Sequence, residues 1–350
     1  MPSLNSTPQT ICILRLSAIG DTCHVVPVLR TLQQAWPAAR FTWVIGSLES
    51  KLMAALPEVE FIIVAKRAPR AQRRALAQQL RRRHFDVLLH MQLALRASLI
   101  ARRIRAPVKV GFDRARAREL QWLFTNRRIA ARSREHVLDS FFGFAAALGV
   151  SERLLRWDLP IPQGARRAAA ALIPEGSRTL IISPSSSHAL RNWSAAGYAA
   201  VAEHAVRVHG LTVLLCGAPN AAERALAAAI MSRARVPISN RVGEDDLLQL
   251  LALLERATVL LSPDSGPVHM ATMVGTPVIG LYAATNPQRS GPYLSRHWCV
   301  DAFAQAAARF RGKSIEQLPW TTKIEEPGVM DLIEVDQVTA KLDALIGSLP

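Results

Sequence analysis

The sequence predicts an α/β protein built from two doubly wound parallel sheets. Short apolar runs alternate with helical periodicity along the 350 residues, and half of the residues are hydrophobic, which is enough for two ordinary cores. This alternation is interrupted at residues 159–164, where two prolines and a glycine fall together. We therefore predict a first domain at 1–162, a second domain at 163–330 and a terminal helical segment at 331–350.

The first predicted βαβ unit opens the chain. An apolar strand at 11–16 leads into a turn at 17–21 that ends in Asp21, followed by a helical pattern and another strand. The turn contains only Gly20, so it is not the dinucleotide-binding fingerprint, which needs three glycines. Pro27 predicts that the regular helix begins a few residues after Asp21. Asp21 is therefore compatible with a helix cap or with a functional acid.

A matching unit lies near the other end of the chain. The apolar run 257–261 precedes the turn SPDSGPVH at 262–269, a short helix and a second apolar strand at 278–282. In open parallel sheets, ligands lie beyond the carboxyl ends of the strands, where helix N-termini favour a diphosphate. Asp264 beside such an anion is suited to accept hydrogen bonds from sugar hydroxyls. The alternative is that Asp264 or Ser265 only caps the helix.

Two further motifs follow predicted strands of the second domain. A hydroxyl-rich turn after the strand at 179–182 is followed by Arg191 and Trp193, and the turn after the strand at 211–215 leads to Glu223. Arg191 is a candidate diphosphate ligand because its fork can bind two oxygens. Trp193 is compatible with core packing or with a nucleobase platform, and Glu223 with a ribose contact or with an exposed helix position.

In this order, the four motifs resemble those of the glycosyltransferase family 9 heptosyltransferases over most of the chain. The resemblance implies the GT-B fold, in which two Rossmann-like doubly wound domains face a central cleft. The first domain would bind the acceptor and the second the nucleotide-sugar donor, and the terminal helix could pack back toward the first domain. The sequence departs from the family pattern at Arg191, where Lys is usual, and at Pro267 and Val268.

The resemblance also implies a reaction. It is an inverting transfer of a heptosyl group from ADP-L-glycero-D-manno-heptose to a Kdo-containing lipid A or inner-core lipopolysaccharide acceptor, with Asp21 as general base. No metal or other cofactor is expected. The implied acceptor-binding residues are Ser17, Gly20 and His24. The implied donor-binding residues are Ser185, Ser186, Ser187, Arg191, Glu223, Asp264, Ser265, Gly266 and His269.

Charge is distributed unevenly. Residues 1–175 contain 28 basic and 12 acidic side chains, whereas 176–350 contain 15 of each, and segment 66–134 alone has 20 basic and three acidic residues. The positive electrostatic potential of such a segment attracts polyanions. We therefore expect the basic half to adsorb to the inner-leaflet membrane surface, which contains the anionic acceptor. Nucleic acid is the rival polyanion, but the segment has only four aromatic residues and no standard DNA-binding motif. A transferase for another nucleotide sugar and a non-catalytic sugar-nucleotide binder remain alternatives.

Cysteine usage and hydropathy predict a cytoplasmic protein, peripheral on the inner face of the inner membrane. The four cysteines are scattered and form no Cys-x-x-Cys pair, which indicates neither a disulfide framework nor a zinc site. Arg15 interrupts the first apolar run, and no stretch approaches the ~18 apolar residues of a membrane span.

Overall fold

A computed structural model describes residues 7–349 and divides the chain into two compact units between Pro160 and Ile161. This division falls two residues before the domain boundary expected from the sequence. Each unit contains one six-stranded, all-parallel sheet.

The first unit alternates strands and helices in chain order. Short 3₁₀ turns aside, its elements are β1 (Thr10–Leu14), α1 (Ile19–Ala35), β2 (Arg40–Gly46), α2 (Ser50–Met53), β3 (Val59–Val64), α3 (Arg70–Arg82), β4 (Val87–His90), α4 (Leu95–Ala101), β5 (Val108–Gly111), β6 (Arg127–Arg128) and α5 (Val137–Ala147).

The second unit repeats the alternation and ends in helices. Its elements are α6 (Gln163–Leu172), β7 (Thr179–Ile182), α7 (Ala195–His209), β8 (Thr212–Leu215), α8 (Ala221–Met231), β9 (Ser239–Asn240), α9 (Leu247–Arg256), β10 (Val259–Pro263), α10 (Gly266–Met273), β11 (Val278–Tyr282), α11 (Pro287–Ser290), β12 (Val300–Asp301), α12 (Phe303–Arg311) and α13 (Val335–Ser348).

The two sheets have the same strand order. The first runs β3-β2-β1-β4-β5-β6, and the second runs β9-β8-β7-β10-β11-β12. The central strands β4, β7 and β10 are buried along their whole length, which explains their largely apolar sequence. The predicted fold class, two doubly wound α/β units, is confirmed. In each unit the order reverses between the first and fourth strands, and this switch point opens a crevice at the carboxyl ends of the strands.

Helix α1 corrects one expectation. It begins at Ile19, before Asp21, and Pro27 lies inside it, so the prediction that the helix begins after Asp21 is wrong. Proline has no N–H to donate to the carbonyl four residues earlier, that of Cys23. The indole Nε1 of Trp157 donates to this carbonyl instead, at 2.9 Å. A residue 134 positions along the chain thus satisfies the group that Pro27 leaves open.

The terminal helix α13 is part of the core of the second unit. Val338, Leu342 and Leu345 are fully buried there, as their helical spacing in the sequence predicts. Packing of this helix toward the first domain stays a prediction. All four cysteines are buried and free. Within residues 7–349, no helix combines the length and apolar character needed to cross a bilayer.

Candidate active site

Polar side chains gather at the switch point of each sheet. In the first unit, the residues after β1 contact those after β4; in the second, the residues after β7 contact those after β10. We call these groups the Asp21 cluster (Arg15, Asp21 and Gln92) and the Arg191 cluster (Ser186, Arg191, Asp264, Lys323 and Glu325). Both lie where open α/β sheets bind their ligands.

The Asp21 cluster is centred on an ion pair. Arg15 follows β1 and is only 8% exposed, and its Nη2 contacts Asp21 Oδ2. The same guanidinium donates through Nη1 to the carbonyl of Met91 at 2.5 Å and lies 5.2 Å from the ring centre of Phe141. The Ala18 N–H also points to Asp21 Oδ2, at 3.4 Å. These contacts fix the carboxylate through Oδ2, and Oδ1 has no hydrogen-bond partner among residues 7–349, on a side chain that is 30% exposed.

Two glutamines hold the backbone of the acidic turn. Gln92 Oε1 accepts from the N–H groups of Leu16 and Ser17 at 3.0 and 3.3 Å. Gln121 is fully buried and donates through Nε2 to the carbonyls of His90 and Gln92. The turn that presents Asp21 is therefore tied to the loop after β4 by hydrogen bonds and not only by packing.

The predicted acceptor-binding residues differ in their burial. Ser17 lies in the turn and is partly exposed, whereas Gly20 is buried in the first turn of α1. His24 is only 2% exposed, and its ring packs edge-on against His136 with centroids 5.3 Å apart. This position favours a structural role for His24, and direct acceptor binding stays a prediction.

The Arg191 cluster is a network of opposite charges. Arg191 is 9% exposed, and its Nε and Nη2 donate to Glu325 Oε1 at 2.9 and 2.6 Å. Its Nη1 lies 3.4 Å from Asp264 Oδ2. Ser186 Oγ donates to the Asp264 carbonyl at 2.7 Å and thereby joins the two loops. The predicted donor residues Ser186, Arg191 and Asp264 are thus in direct contact.

Electrostatics in this cluster depend on Glu325 and Lys323. Burial acts to raise the pKa of Glu325, but hydrogen bonds and charge from Arg191 lower it overall. The pKa of Lys323 is lowered, first by loss of solvation and then by the positive charge of Arg191. The network thus holds two neighbouring cations, Arg191 and Lys323, whose formal charge is balanced by the carboxylates of Asp264 and Glu325.

The remaining residues of the donor turn lie around this network. Ser185 and Ser187 belong to the same loop as Ser186, and Gly266 begins helix α10. Ser265 is the N-cap residue of α10, but its side chain makes no capping hydrogen bond; its Oγ lies 2.8 Å from that of Ser262. The capping alternative therefore does not hold for Ser265. His269 is buried on α10, at 7% exposure.

The carboxylate of Glu223 forms hydrogen bonds within the turn that follows β8. Its Oε2 accepts from the Ala218 N–H at 2.7 Å, its Oε1 accepts from the Asn220 side chain at 2.7 Å, and Asn220 caps α8 in return. These bonds stiffen the turn after β8. They favour a structural role, and a ribose contact by Glu223 stays a prediction.

Sequence reasoning missed several members of these clusters. Arg15 is a charged residue at the end of an apolar strand, and this pattern indicates a buried ion pair. Gln92, Lys323 and Glu325 belong to none of the four motifs. Glu325 is 134 residues from its partner Arg191. The indole of Trp193 is 4% exposed and donates to the Ile333 carbonyl at 3.0 Å, so Trp193 belongs to the core.

Two doubly wound units, each with a polar cluster at its switch point, define a protein of the GT-B class. The structure superposes on a family 9 glycosyltransferase from Veillonella parvula with a TM-score of 0.80, at 21% identity, covering 98% of this chain and all of that one. It superposes on the ADP complex of Escherichia coli heptosyltransferase WaaC with a TM-score of 0.74, at 20% identity, covering 96% and 99% of the two chains.

Sequence comparison is more specific. Residues 73–318 match the family described as glycosyltransferase family 9 (heptosyltransferase). The chain is 39% identical over 345 residues to the lipopolysaccharide core heptosyltransferase OpsX of Haemophilus influenzae, covering 99% of each. It is 26% identical to lipopolysaccharide heptosyltransferase 1 of Escherichia coli K12, covering 81% and 90% of the two chains. The chain belongs to glycosyltransferase family 9 and is a heptosyltransferase.

Proposed function

We propose that this heptosyltransferase acts in lipopolysaccharide core synthesis and uses ADP-L-glycero-D-manno-heptose to glycosylate a Kdo-containing lipid A or inner-core acceptor with inversion. Support comes from the relative OpsX, which is 39% identical over nearly its whole length. Two structural neighbours are described as complexes with ADP and with ADP-2-deoxy-2-fluoro heptose. The observation that carries the mechanism is the Asp21 cluster, a fixed carboxylate with one open oxygen.

Asp21 is the proposed general base. An acceptor hydroxyl becomes a good nucleophile when its proton is accepted, so Asp21 takes the proton as the acceptor oxygen bonds to the anomeric carbon. The bond from that carbon to the diphosphate oxygen breaks, and ADP leaves with the electron pair. Attack opposite to the leaving group inverts the anomeric centre. Arg15 contacts Oδ2, so the proposed proton acceptor is Oδ1.

Arg191 is the proposed partner of the departing diphosphate. Its contacts with Glu325 and Asp264 use three of the five guanidinium N–H groups. The other two remain for phosphate oxygens, and Lys323 adds a second positive charge. Because both carboxylates hold Arg191 in place, its charge need not reorganise as the leaving group develops negative charge. This mechanism needs no metal cofactor.

Asp264 and the residues around it complete the proposed donor site. The Asp264 carboxylate is suited to bind heptose hydroxyls while remaining in contact with Arg191. Ser185, Ser187 and the start of α10 at Ser265 and Gly266 offer further hydrogen bonds to the diphosphate.

The proposed location is the cytoplasmic face of the inner membrane. An arginine groove of about 810 Å³ lies along α3; its arginines are Arg70, Arg73, Arg74, Arg81, Arg82, Arg103 and Arg105. On α3 only Leu80 is buried, so most of the helix faces solvent. Each basic side chain near an anionic leaflet contributes about 1 kcal/mol to adsorption. The groove would thus hold the enzyme at the surface that contains its lipid acceptor.

Product analysis tests donor and acceptor together. Purified protein is incubated with ADP-heptose and a panel of truncated lipid acceptors, with UDP-glucose as the donor control, and the products are identified by mass and linkage. We expect one heptose to be added in the inverted configuration to a Kdo-containing acceptor. Transfer only from another nucleotide sugar, or only to acceptors without Kdo, would overturn the proposal.

A further inference from the structure

A group of metal-ligating side chains lies on the second unit, at the opposite edge of the sheet from the Arg191 cluster. His204 and His209 belong to the last turns of α7, and Asp343 belongs to α13. Each imidazole Nε2 lies 2.6 Å from the same oxygen, Asp343 Oδ1. The three ligand atoms all fall within 4.8 Å of one another. This His204–His209–Asp343 cluster is not used in the proposed reaction.

The geometry points to a divalent transition-metal site, and we propose that His204, His209 and Asp343 bind Zn²⁺ or a chemically similar ion. Imidazole and carboxylate are ordinary ligands for zinc, and three protein ligands leave the fourth position to water. A tetrahedral Zn²⁺ with bonds of about 2.0–2.1 Å spaces its ligand atoms about 3.3 Å apart. The carboxylate therefore needs to withdraw from each imidazole by less than about 1 Å.

The surroundings favour a positive ion. The cluster lies at the C-terminal end of α7, which stops at His209 before Gly210, and the negative end of a helix dipole stabilises a cation. Arg207, the nearest positive side chain in that turn, is paired with Glu203 at 3.2 Å.

The position of the cluster assigns the metal a structural role. α7 ends just before β8 begins, so the cluster lies at the amino edge of the sheet, whereas the Arg191 cluster follows the carboxyl ends of β7 and β10. Asp343 is 134 and 139 residues from its two histidine partners. A bound ion would fasten the terminal helix α13 to α7, in addition to the apolar contacts of Leu342 and Leu345.

Zinc titration tests the proposal. Purified protein is stripped with EDTA, dialysed and titrated with ZnCl₂ in a calorimeter, and its thermal unfolding is followed with and without ZnCl₂. We expect one saturable site and, at a hundredfold excess over Kd, a rise in the midpoint of about 5–10 °C. His204→Gln and Asp343→Asn should weaken zinc binding at least about tenfold, since each removes one of three ligands.

His84→Gln is the matched control, because His84 is an exposed histidine of the first unit. It should bind zinc and gain thermal stability as the unchanged protein does. Unfolding curves without zinc show whether each variant is folded, so loss of the site is separated from loss of the fold. No saturable binding, or equal affinity in all four proteins, would refute the site and leave a hydrogen-bonded His–Asp–His group.

Discussion

At the residue scale, the proposed chemistry relies on buried arginines that are paired with carboxylates. Arg15 is 8% exposed and Arg191 is 9% exposed, and each contacts at least one carboxylate. A buried charge costs several kcal/mol unless it is paired, so these partners fix the arginines firmly. Substitutions at Asp21 and Arg191 therefore test both the proposed reaction and the stability of the ion pairs.

Asp21→Asn should reduce transfer by about 10²–10⁴-fold, because the amide cannot accept the acceptor proton. It should also lower the free energy of unfolding by about 1–3 kcal/mol, since Arg15 loses its charged partner. ADP affinity, measured by calorimetry, should be nearly unchanged. Asp158→Asn is the matched control: Asp158 pairs with the buried Arg30, so stability should fall while turnover persists. Turnover of folded Asp21→Asn within a few-fold of the unchanged enzyme would show that Asp21 only braces the turn.

Arg191→Ala should weaken ADP binding by about 10–100-fold, the loss of one or two charge-assisted hydrogen bonds. It should also slow transfer, because the same charge stabilises the leaving group. Arg191→Lys should recover most of the activity, since the positive charge is kept. The exposed Arg166, which pairs with Glu255, provides the control variant Arg166→Ala. Unchanged ADP affinity in Arg191→Ala would move the phosphate site elsewhere.

His90 predicts a pH dependence of stability. It is fully buried, and burial, followed by the charges of Lys109 and Arg15, lowers its pKa from 6.5 to about 3. Between these values the unfolded chain binds a proton that the folded chain does not. Stability should therefore fall as the pH drops below 6.5, by up to about 1.4 kcal/mol per pH unit.

Urea unfolding between pH 7.5 and 4.5 measures this slope. In His90→Gln the slope should decrease, whereas the exposed-histidine variant His84→Gln should keep it. Equal slopes in all three proteins would contradict a buried neutral His90.

At the element scale, helix α1 shows how a distant residue repairs a local defect. A proline in the interior of a helix, such as Pro27, normally destabilises the helix by about 3 kcal/mol or more. The Trp157 indole compensates by satisfying the Cys23 carbonyl that Pro27 leaves without a helical donor. Because Asp21 lies in the first turn of this helix, the bond also stabilises the element that presents the proposed base.

Trp157→Phe should lower the free energy of unfolding by about 1–3 kcal/mol, because it leaves the Cys23 carbonyl without a donor. Trp122, which is 38% exposed, provides the control: Trp122→Phe should change stability by about 0.5 kcal/mol or less. Denaturant unfolding measures both. Equal small effects would show that water or another group satisfies the carbonyl.

At the scale of the whole molecule, the dominant property is charge. The formal net charge of +16 arises entirely within residues 1–175, and the arginine groove along α3 concentrates part of it. Arg83 differs from the groove arginines, because both of its Nη atoms contact the carboxylate of Glu60. Charge-reversal experiments should therefore avoid it.

Replacing Arg74, Arg81 and Arg82 by Glu should abolish most of the binding to vesicles rich in acidic phospholipid. Binding of the unchanged protein to these vesicles should fall steeply as the salt concentration rises. Exposed charges are screened over about 10 Å at 0.1 M salt. Transfer to a lipid-embedded acceptor should decrease far more than transfer to a deacylated, soluble one, because only the first requires adsorption. Vesicle co-sedimentation and paired assays measure these effects.

The matched control reverses Arg233, Arg309 and Lys313, three exposed basic residues of the second unit, and makes the same change in net charge. It should keep vesicle binding. Equal loss on both acceptors would place the arginines in the acceptor site instead. Tight, length-dependent binding to single-stranded DNA without transferase activity would favour the nucleic-acid alternative.

The sequence by itself determined the strands and helices that flank the two acidic turns, except that α1 begins before Asp21 and not after it. Apolar runs such as 179–182 and 278–282 become buried parallel strands because burial on both faces requires continuous apolar sequence, and the spacing in 335–349 becomes α13. Only the tertiary structure decided the partners of the charged groups. Arg191 with Glu325, Asp343 with His204 and His209, and Cys23 with Trp157 are separated by 134 to 139 residues. Local periodicity reports which face of an element is buried, but it contains no information on which distant side chain completes a hydrogen bond there.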